Sequence, residues 1–367
     1  MKKLLSLGLV LLTIVYAFPL AYRAYYRGVD ATISQEDVLS AAKPVDASVD
    51  SADAATTDTT DVSAADTTDS AAAQTVSASL PDSGNIRVLV DGTVHTMPLE
   101  TYVAGVVSAE ISPTFPADAL RAQAVAARTY AVHKMRTGGS ALPVHKGADV
   151  CDDYHHCTAY LDLATQASAH WGKNADTYEN AVERAVHDTA GQILTVGGKP
   201  IVAVFCAASS PRTESAKDVW GSDISYLQSV ESPGGEACPK YKTEVTVSAA
   251  DFRKKVHDTF PSIKVDGAPD TWFKASARSA AGGIKTVALG GVRVEGTAIR
   301  EMFDLCSTNF TITPSKDAIT FHVTGYGHGV GLSQYGAKYM AEHGSGYRDI
   351  LTHYYIGATI QNLSDIK

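Results

Sequence analysis

Hydrophobic positions alternate, or recur every three to four residues, along most of the chain after residue 85. Residues 86–97 read IRVLVDGTVHTM, where apolar and polar positions alternate on both sides of Asp91-Gly92. This pattern predicts a β-hairpin that turns at the Asp-Gly pair. An apolar stripe at helical spacing follows and predicts a helix that ends near Glu110. Its members are Leu99, Val103, Val106 and Val107.

A second helix is predicted after Phe115-Pro116, because proline favours the first turn of a helix. Its buried face consists of Leu120, Ala124, Ala127 and Ala131, and we place Arg121, Gln123 and Arg128 elsewhere on it. Further helices are predicted around residues 177–188 and 297–304, a hairpin over residues 192–205, and mixed strands and helices between them. The pattern therefore predicts the α+β class, with mixed helices and β-hairpins in one domain.

The segment GYGHGVGLSQYG, residues 325–336, is rich in glycine and in side chains that form hydrogen bonds. The polar side chains are His328, Ser333, Gln334 and Tyr335. Such a loop is typical of the wall of a binding site, where the backbone approaches a ligand closely. A glycine-rich turn beside a core tyrosine is the simpler alternative. Two short helices are predicted to follow and to hold the loop in place.

Residues 1–27 have the pattern of a membrane anchor. Lys2 and Lys3 precede an apolar run over residues 4–22, and Arg23 and Arg27 follow it. Such a run at helical rise is long enough to cross a bilayer, although a signal peptide has a similar pattern. The absence of a small-residue cleavage site favours an uncleaved anchor, with a short cytoplasmic N-terminus and the rest exported.

Residues 28–84 consist mainly of Ala, Thr, Ser, Asp and Val, and we interpret them as a disordered linker. The linker would let the folded domain, residues 85–367, stand away from the membrane, or its length has no special role. Its aspartates account for most of the formal net charge of −9. The folded domain has no basic excess, which argues against a nucleic-acid-binding protein.

Glu110 is the candidate general acid. A carboxyl group at the C-terminal end of an apolar helix meets the negative end of the helix dipole and loses hydration, and both effects raise its pKa. An exposed glutamate without a role is the alternative. Arg128 pairs with Glu110 in one interpretation and lies on a solvated helix face in the other.

A compact metal site is predicted in VHKGADVCDDYHHCTAY, residues 144–160. His145, Cys151, His156 and Cys157 are two imidazoles and two thiolates, the donors that tetrahedral zinc prefers, and His155 is a spare imidazole. Four protein ligands leave no open position, so the zinc would be structural. A Cys151–Cys157 disulfide or free thiols are alternatives, but a disulfide gives no reason for the histidines.

Two loops before residue 242 carry charged residues and a tryptophan. Arg212 and Trp220 are suited to sugar binding, and a capped loop over the core is an equal alternative. Cys206 and Cys238 are candidates for a disulfide, and Cys306 has no evident partner.

Together, these segments resemble the stage II sporulation protein D family of exported bacterial proteins. The resemblance covers roughly residues 85–362 in order and rests on LETYVAGVVSAEI, ALRAQAVAARTYA, TESAKDVWG, IREMFDLCSTNF and GYGHGVGLSQYGAKYMAEHG. The cysteine- and histidine-rich segment resembles the zinc-binding variety of clostridial relatives, whose four ligands match those above.

The resemblance implies a lytic transglycosylase that cleaves peptidoglycan glycan strands in a glycan cleft during forespore engulfment. Glu110 matches the family's catalytic glutamate, and Arg128 matches an arginine needed for activity. Arg212, His328, Ser333, Gln334 and Tyr335 would bind the glycan. The implied location is the engulfing membrane of the mother cell, with a cell-wall amidase, stage II sporulation protein P, and stage II sporulation protein M as partners.

One departure and two alternatives accompany the resemblance. Where many members have Gly-Gly after the serines, this chain has Ser210-Pro211-Arg212, which leaves the role of Arg212 open. A peptidoglycan-binding activator of a separate amidase is the second interpretation, because the wider family includes amidase enhancers. A zinc amidase is the third, and the closed set of four ligands argues against it.

Overall fold

A computed structural model describes residues 83–154 and 156–366. The predicted anchor, and all of the predicted linker except its last two residues, lie outside these ranges. Within the described residues, no helix combines the length and the apolar character that crossing a membrane requires.

The described residues form nine α-helices that follow the predicted order closely. They are α1 Leu99–Glu110, α2 Ala117–Arg136, α3 Leu163–Trp171, α4 Ala175–Asp188, α5 Ala216–Trp220, α6 Ala249–Thr259, α7 Gly296–Met302, α8 Gln334–Glu342 and α9 Tyr347–Tyr354. Helices α3 and α5 were not predicted. Only Ala167 of the α3 side chains is buried, and its sequence has no apolar stripe. The segment that contains α5 was interpreted as a loop, because its five helical residues are too few to show a periodic pattern.

Fourteen short strands accompany the helices. They are β1 Asn85–Val90, β2 Thr93–Pro98, β3 Val150–Cys151, β4 Gln192–Val196, β5 Lys199–Pro200, β6 Phe205–Cys206, β7 Lys242–Ser248, β8 Phe273–Arg278, β9 Ile284–Leu289, β10 Val292–Glu295, β11 Phe310–Pro314, β12 Ala318–Thr324, β13 Leu332–Ser333 and β14 Thr359–Asn362. They build small sheets in the orders β2-β1-β3, β14-β4-β5, β10-β9-β8, β11-β12-β7 and β13-β6. The α+β prediction is confirmed.

Helices α1, α2 and α4 pack together around apolar faces. The predicted stripe of α1 is fully buried, and so is the alanine-rich face of α2. Gly105 permits a close approach, as predicted, because a Cβ there would overlap the Tyr160 ring. The prediction was wrong for Gln123 and Arg128, which are both 0% exposed. Helix α2 is covered on more sides than its apolar stripe alone suggests.

A second core lies between α6, α7 and the sheets that contain β7 and β9. Its buried aromatic side chains are Phe252, Trp272, Phe303, Phe310 and Phe321. Strand β12 supplies alternate residues to this core, and the intervening ones face solvent. The strand pair β11–β12, which sequence analysis did not single out, places the chain directly before the glycine-rich loop.

Candidate functional site

Glu110 is the last residue of α1 and is buried, with 7% of its surface exposed. The backbone N–H of Ala159 donates a hydrogen bond of 2.8 Å to Glu110 Oε1. Burial raises the pKa of the carboxyl group from its ordinary 4.5 to about 7, and the Ala159 bond opposes part of that rise. The predicted direction of the pKa shift is confirmed, and near neutral pH this carboxyl group can both donate and accept a proton.

The segment that carries Ala159 runs along α1. Tyr102 of α1 shares a hydrogen bond of 2.9 Å with Thr158, and the Leu161 N–H donates to the Gly105 carbonyl at 3.2 Å. The rings of Tyr102 and Tyr160 stack at 5.8 Å. These contacts on either side of Ala159 fix the position of the amide that binds Glu110.

The four predicted zinc ligands come together at the start of this segment. The candidate donor atoms of His145, Cys151, His156 and Cys157 all lie within 4.8 Å of one another. His145 Nε2 is 3.2 Å from Cys157 Sγ, and His156 Nδ1 is 3.5 Å from each sulfur. Tetrahedral zinc with Zn–N of about 2.0 Å and Zn–S of about 2.3 Å would have ligand edges of roughly 3.3–3.8 Å. The cluster therefore fits a zinc ion.

One contact outside the four donors supports the fit. His145 Nδ1 lies 2.7 Å from the Gly139 carbonyl, which places the proton on Nδ1 and leaves Nε2 free to bind a metal. Cys151 and Cys157 are free thiols, so the disulfide alternative is not formed. Cys206 and Cys238 are also free, which differs from their proposed pairing. The thiols at the cluster are thus available as ligands.

Arg128 does not contact Glu110, and it does not lie on a solvated face, so both interpretations of Arg128 were wrong. Its side chain makes a bidentate ion pair with Glu100 in the first turn of α1. Arg128 Nε lies 2.9 Å from Glu100 Oε1, and Arg128 Nη2 lies 2.5 Å from Glu100 Oε2. A third nitrogen donates to the Gln192 carbonyl at 3.2 Å. Arg128 thus ties the start of α1 to α2 and β4, at the opposite end of α1 from Glu110.

Two of the predicted glycan-binding residues hold the glycine-rich loop instead of facing outward. Ser333 is fully buried, and its Oγ accepts hydrogen bonds from the backbone N–H groups of Ser209 and Gly336. His328 Nδ1 accepts from the Val330 N–H, and the imidazole also bonds the Phe205 backbone. Burial lowers the pKa of His328 to about 3, so its ring is neutral.

Gln334 and Tyr335 bring this loop next to the chain that leaves Glu110. Gln334 Nε2 donates to Gln123 Oε1 of α2 at 3.5 Å. The half-buried Tyr335 packs edge-on against Phe115, with ring centroids 5.1 Å apart, and Phe115 follows Glu110 by five residues. Among the predicted loop residues, Tyr335 has the partly exposed aromatic ring.

Arg212 lies apart from these contacts. It donates to the Ser229 carbonyl at 3.2 Å and pairs with Glu231 at 3.6 Å, and 41% of its side chain is exposed. Among the hydrogen bonds and ion pairs of the described residues, those of the Arg212 side chain go to Ser229 and Glu231 and not to the predicted loop residues.

Ala159, Glu100 and Phe115 were not identified from the sequence. Ala159 acts through its backbone amide, which leaves no side-chain signal. Glu100 was hidden because helix position alone does not show which carboxylate a buried arginine will meet.

The sequence is similar to known sporulation proteins. Residues 91–196 match the family model described as stage II sporulation protein, SpoIID. Stage II sporulation protein D of Bacillus subtilis (strain 168) is 39% identical over 268 residues, which cover 73% of this chain and 76% of that protein. The protein of the same name from Bacillus amyloliquefaciens is 38% identical over 268 residues, 73% of this chain and 75% of that one. An amidase enhancer of Bacillus subtilis (strain 168) is 26% identical over 307 residues, 70% of this chain and 40% of the enhancer.

Proposed function

The chain belongs to the stage II sporulation protein D family, and on that basis we propose that it is a membrane-anchored lytic transglycosylase of peptidoglycan. Its substrate would be peptide-free glycan strands, cleaved between N-acetylmuramyl and N-acetylglucosaminyl units during forespore engulfment. The observation that carries the proposal is the buried Glu110 carboxyl group with a pKa of about 7.

Glu110 would act first as acid and then as base. The protonated carboxyl group donates its proton to the oxygen that links the two sugars, and the bond from that oxygen to the muramyl C1 breaks. The resulting carboxylate then takes the proton from the C6 hydroxyl of the same muramyl unit, whose oxygen bonds to C1. The proton count balances, no water is consumed, and the product is a 1,6-anhydro end. One carboxyl group therefore suffices where glycoside hydrolases usually need two.

Ala159 would hold Glu110 in position through this cycle. Its N–H occupies Oε1, so Oε2 is the oxygen left to exchange the proton with the glycan. The bond also favours the charged form, which moderates the rise in pKa that burial causes.

Arg128 would act as a positioning residue. It is 0% exposed and touches Glu100, so it has no route to a substrate. We propose that it supports activity by fixing α1, whose last residue is Glu110.

His145, Cys151, His156 and Cys157 would hold one zinc ion that cross-links the loop before Ala159. The ion would supply structural cross-linking and no reactive coordination position, because four protein donors complete its tetrahedron. The residues of this loop would in turn keep the Ala159 amide on Glu110.

The glycine-rich loop would form one wall of the glycan cleft. Tyr335 offers a partly exposed ring for stacking on a sugar, and Gln334 offers an amide beside it. Ser333 and His328 would keep the loop in shape through their backbone bonds. Arg212, which lies apart, would meet the glycan only beyond this wall.

The proposed setting follows from the family and from the amino-acid sequence of the first residues. We propose that residues 1–27 anchor the protein in the engulfing membrane of the mother cell and that residues 28–84 tether the domain. A cell-wall amidase, stage II sporulation protein P, would remove stem peptides and supply the peptide-free strands. Stage II sporulation protein M would be a second membrane partner.

A non-catalytic activator of a cell-wall amidase is the second candidate function. The similarity to an amidase enhancer, which is weaker than that to the sporulation proteins, favours this candidate. A zinc amidase fits less well, because the four protein donors leave no position for water.

Mass analysis of glycan digests separates the candidates. The purified domain should convert stem-peptide-free glycan to fragments with 1,6-anhydro ends. An activator should leave such glycan intact and increase the release of peptides only when an amidase is present. Fragments with reducing muramyl ends would show that water attacks and that a second carboxylate takes part.

A further inference from the structure

Glu214 is a second buried carboxyl group, and the proposed chemistry does not use it. The residue is 5% exposed and directly precedes the N-cap of α5. Its Oε1 accepts hydrogen bonds from Ser279 Oγ at 2.9 Å and from the Gly283 N–H at 3.0 Å. Its Oε2 is buried without a hydrogen-bond partner among the described residues. Buried polar atoms nearly always have a hydrogen-bond partner. Burying this oxygen without one costs folding free energy, and packing alone does not explain why a carboxyl group lies here.

The backbone of Glu214 lies against the glycine-rich loop. The Glu214 N–H donates to the Gly329 carbonyl at 2.8 Å, and Glu214 forms an isolated parallel bridge with Val330. A Cβ on Gly329 would come within 3.1 Å of Glu214 Cγ, and Gly329 has a φ of +77°. Glycine at this position therefore lets the loop adopt its backbone conformation directly over the Glu214 side chain.

The side chain of Glu214 reaches in the other direction, to the β8–β9 turn. Ser279 and Gly283 lie in this turn, which closes the hairpin packed on the aromatic core. A Cβ on Gly283 would overlap Glu214 Oε1, so the backbone of the turn sits directly on the carboxyl group. The backbone and the side chain of one residue thus connect the glycine-rich loop to the second core.

A weaker contact runs parallel to this one. Asp218 of α5 pairs with Lys285 of β9, and the two side chains are 22% and 43% exposed. Partly exposed ion pairs contribute little to stability, because solvent screens them. Ser210 also joins this segment to the turn, because its Oγ donates to the Ala281 carbonyl at 2.8 Å. The buried contacts of Glu214 and Ser210 therefore connect this segment to the β8–β9 turn more firmly than the exposed ion pair does.

We infer that Glu214 is a positioning residue. It fixes the glycine-rich loop to the β8–β9 turn and so holds the loop in the conformation in which it would form one wall of the glycan cleft. The inference rests on the proposed function only where it concerns glycan binding. Both carboxyl oxygens are enclosed, so Glu214 does not reach a substrate. A role as a second acid or base would require that access.

Hydrogen exchange and glycan binding test this inference together. Glu214→Ala removes both side-chain bonds, and we expect the amides of residues 327–333 to exchange about tenfold faster or more, because their local opening becomes easier. Binding to peptide-free glycan should weaken about tenfold, measured with the domain fully folded. Glu214→Gln keeps an oxygen that can accept from Ser279 and Gly283. Glu214→Gln should therefore restore most of the loop protection that Glu214→Ala loses. If Glu214 acted as an acid or base instead, the glutamine, which cannot transfer a proton, would not restore the function lost in Glu214→Ala.

Two controls separate positioning from general destabilisation. Val256→Ala weakens the same aromatic core at a fully buried position, and should leave the relative protection of residues 327–333 unchanged. Glu295→Ala, the second control, removes an exposed glutamate of β10 and should likewise leave the protection of residues 327–333 unchanged. If Glu214→Ala does not fold, Ser279→Ala removes one of the two donors and should give a smaller rise in exchange at the same amides.

Unchanged exchange at residues 327–333 in Glu214→Ala, or in Ser279→Ala if the former does not fold, would overturn the inference. So would a loss of protection in Glu214→Gln equal to that in Glu214→Ala. A wild-type domain that cleaves no glycan would count against the proposed function instead, and faster loop exchange in Glu214→Ala would still support the positioning role.

Discussion

The Ala159 amide donates to Glu110 Oε1 at 2.8 Å, and Ala159 follows Cys157, the last of the four clustered donors, by two residues. The candidate acid is therefore held by the same loop that the candidate metal would cross-link. A change in the cluster of four donors should therefore alter the hydrogen bond that holds the Glu110 carboxyl group.

Glu110→Gln should abolish most glycan cleavage. The amide keeps the shape of the side chain and can still accept from Ala159, but it cannot deliver a proton. We expect the rate to fall by about 10²–10⁴, with glycan binding retained. Glu295→Gln, at an exposed position of β10, is the matched control. Undiminished cleavage by Glu110→Gln would remove this residue from the chemistry.

The rate of cleavage should fall as the pH rises above about 7. The acid step needs the protonated carboxyl group, whose pKa burial raises to about 7. The rate on soluble glycan, measured at saturation between pH 5 and 9, reports this group. A rate that stays constant to pH 9 would contradict protonation by Glu110.

The same pKa makes a prediction for stability. Below pH 4.5 the carboxyl group is protonated in both states, and between pH 4.5 and about 7 the unfolded chain loses this proton more readily than the folded protein does. The free energy of unfolding should therefore fall through this window, by about 1.4 kcal/mol per unit of pKa difference. Glu110→Gln should be more stable than the wild type at pH 8 and about equal to it at pH 4. Urea unfolding at both values measures the difference.

Cys151→Ser should lose metal and stability together. The purified wild-type domain is expected to hold about one zinc per chain, because the four donors fit a closed tetrahedral site. Metal analysis and the melting temperature test this expectation, with Cys306→Ser, outside the cluster, as the control. A wild type that is metal-free and fully stable would exclude the site. A stable metal-free protein that needs added zinc for activity would favour the amidase alternative.

Arg128→Ala should destabilise the protein strongly. It leaves the Glu100 carboxylate buried without its partner, which typically costs about 3–5 kcal/mol. Arg121, also on α2, makes a partly exposed ion pair with Asp188 of α4, so Arg121→Ala should cost about 0–1 kcal/mol. Urea unfolding compares them. If Arg128 acts only by positioning α1, cleavage by Arg128→Ala should recover in part when Glu100 is also changed to Gln, because the unpaired charge is then absent.

Removal of residues 1–82 should give a soluble folded domain. The fragment keeps Ser83 and Gly84, which bond Glu100 and the Leu99 N–H. It should cleave glycan in solution, and in cells it should fail to reach the membrane. Circular dichroism and cleavage assays check the first result, and fractionation checks the second. A fragment that does not fold would show that the domain boundary is misplaced.

Local sequence determined most of the helices and strands and the cluster of four candidate metal donors. The β1–β2 hairpin, helices α1 and α2, and the helices after the glycine-rich loop follow from apolar spacing, proline positions and an Asp-Gly turn, which act within a few residues. The clustering of the four candidate metal donors was also predictable, because donors within thirteen residues of chain can come together without a long-range fold. The place of Glu110 at the end of an apolar helix made it a candidate acid, but the sequence left an exposed side chain as the alternative, and the tertiary structure decided its burial.

Tertiary structure decided which groups these residues meet. Arg128 pairs with Glu100, 28 residues away, and Glu110 takes its hydrogen bond from Ala159, 49 residues away. Glu214 reaches Gly283 across 69 residues. Neither helix periodicity nor residue type encodes such partners. By local sequence alone, several carboxylates and several amides are equally suitable hydrogen-bond partners for these residues. The packing of α1 against α2, and of the glycine-rich loop against the second core, brings one of them within hydrogen-bond distance and buries it, which sets both the partner and the pKa.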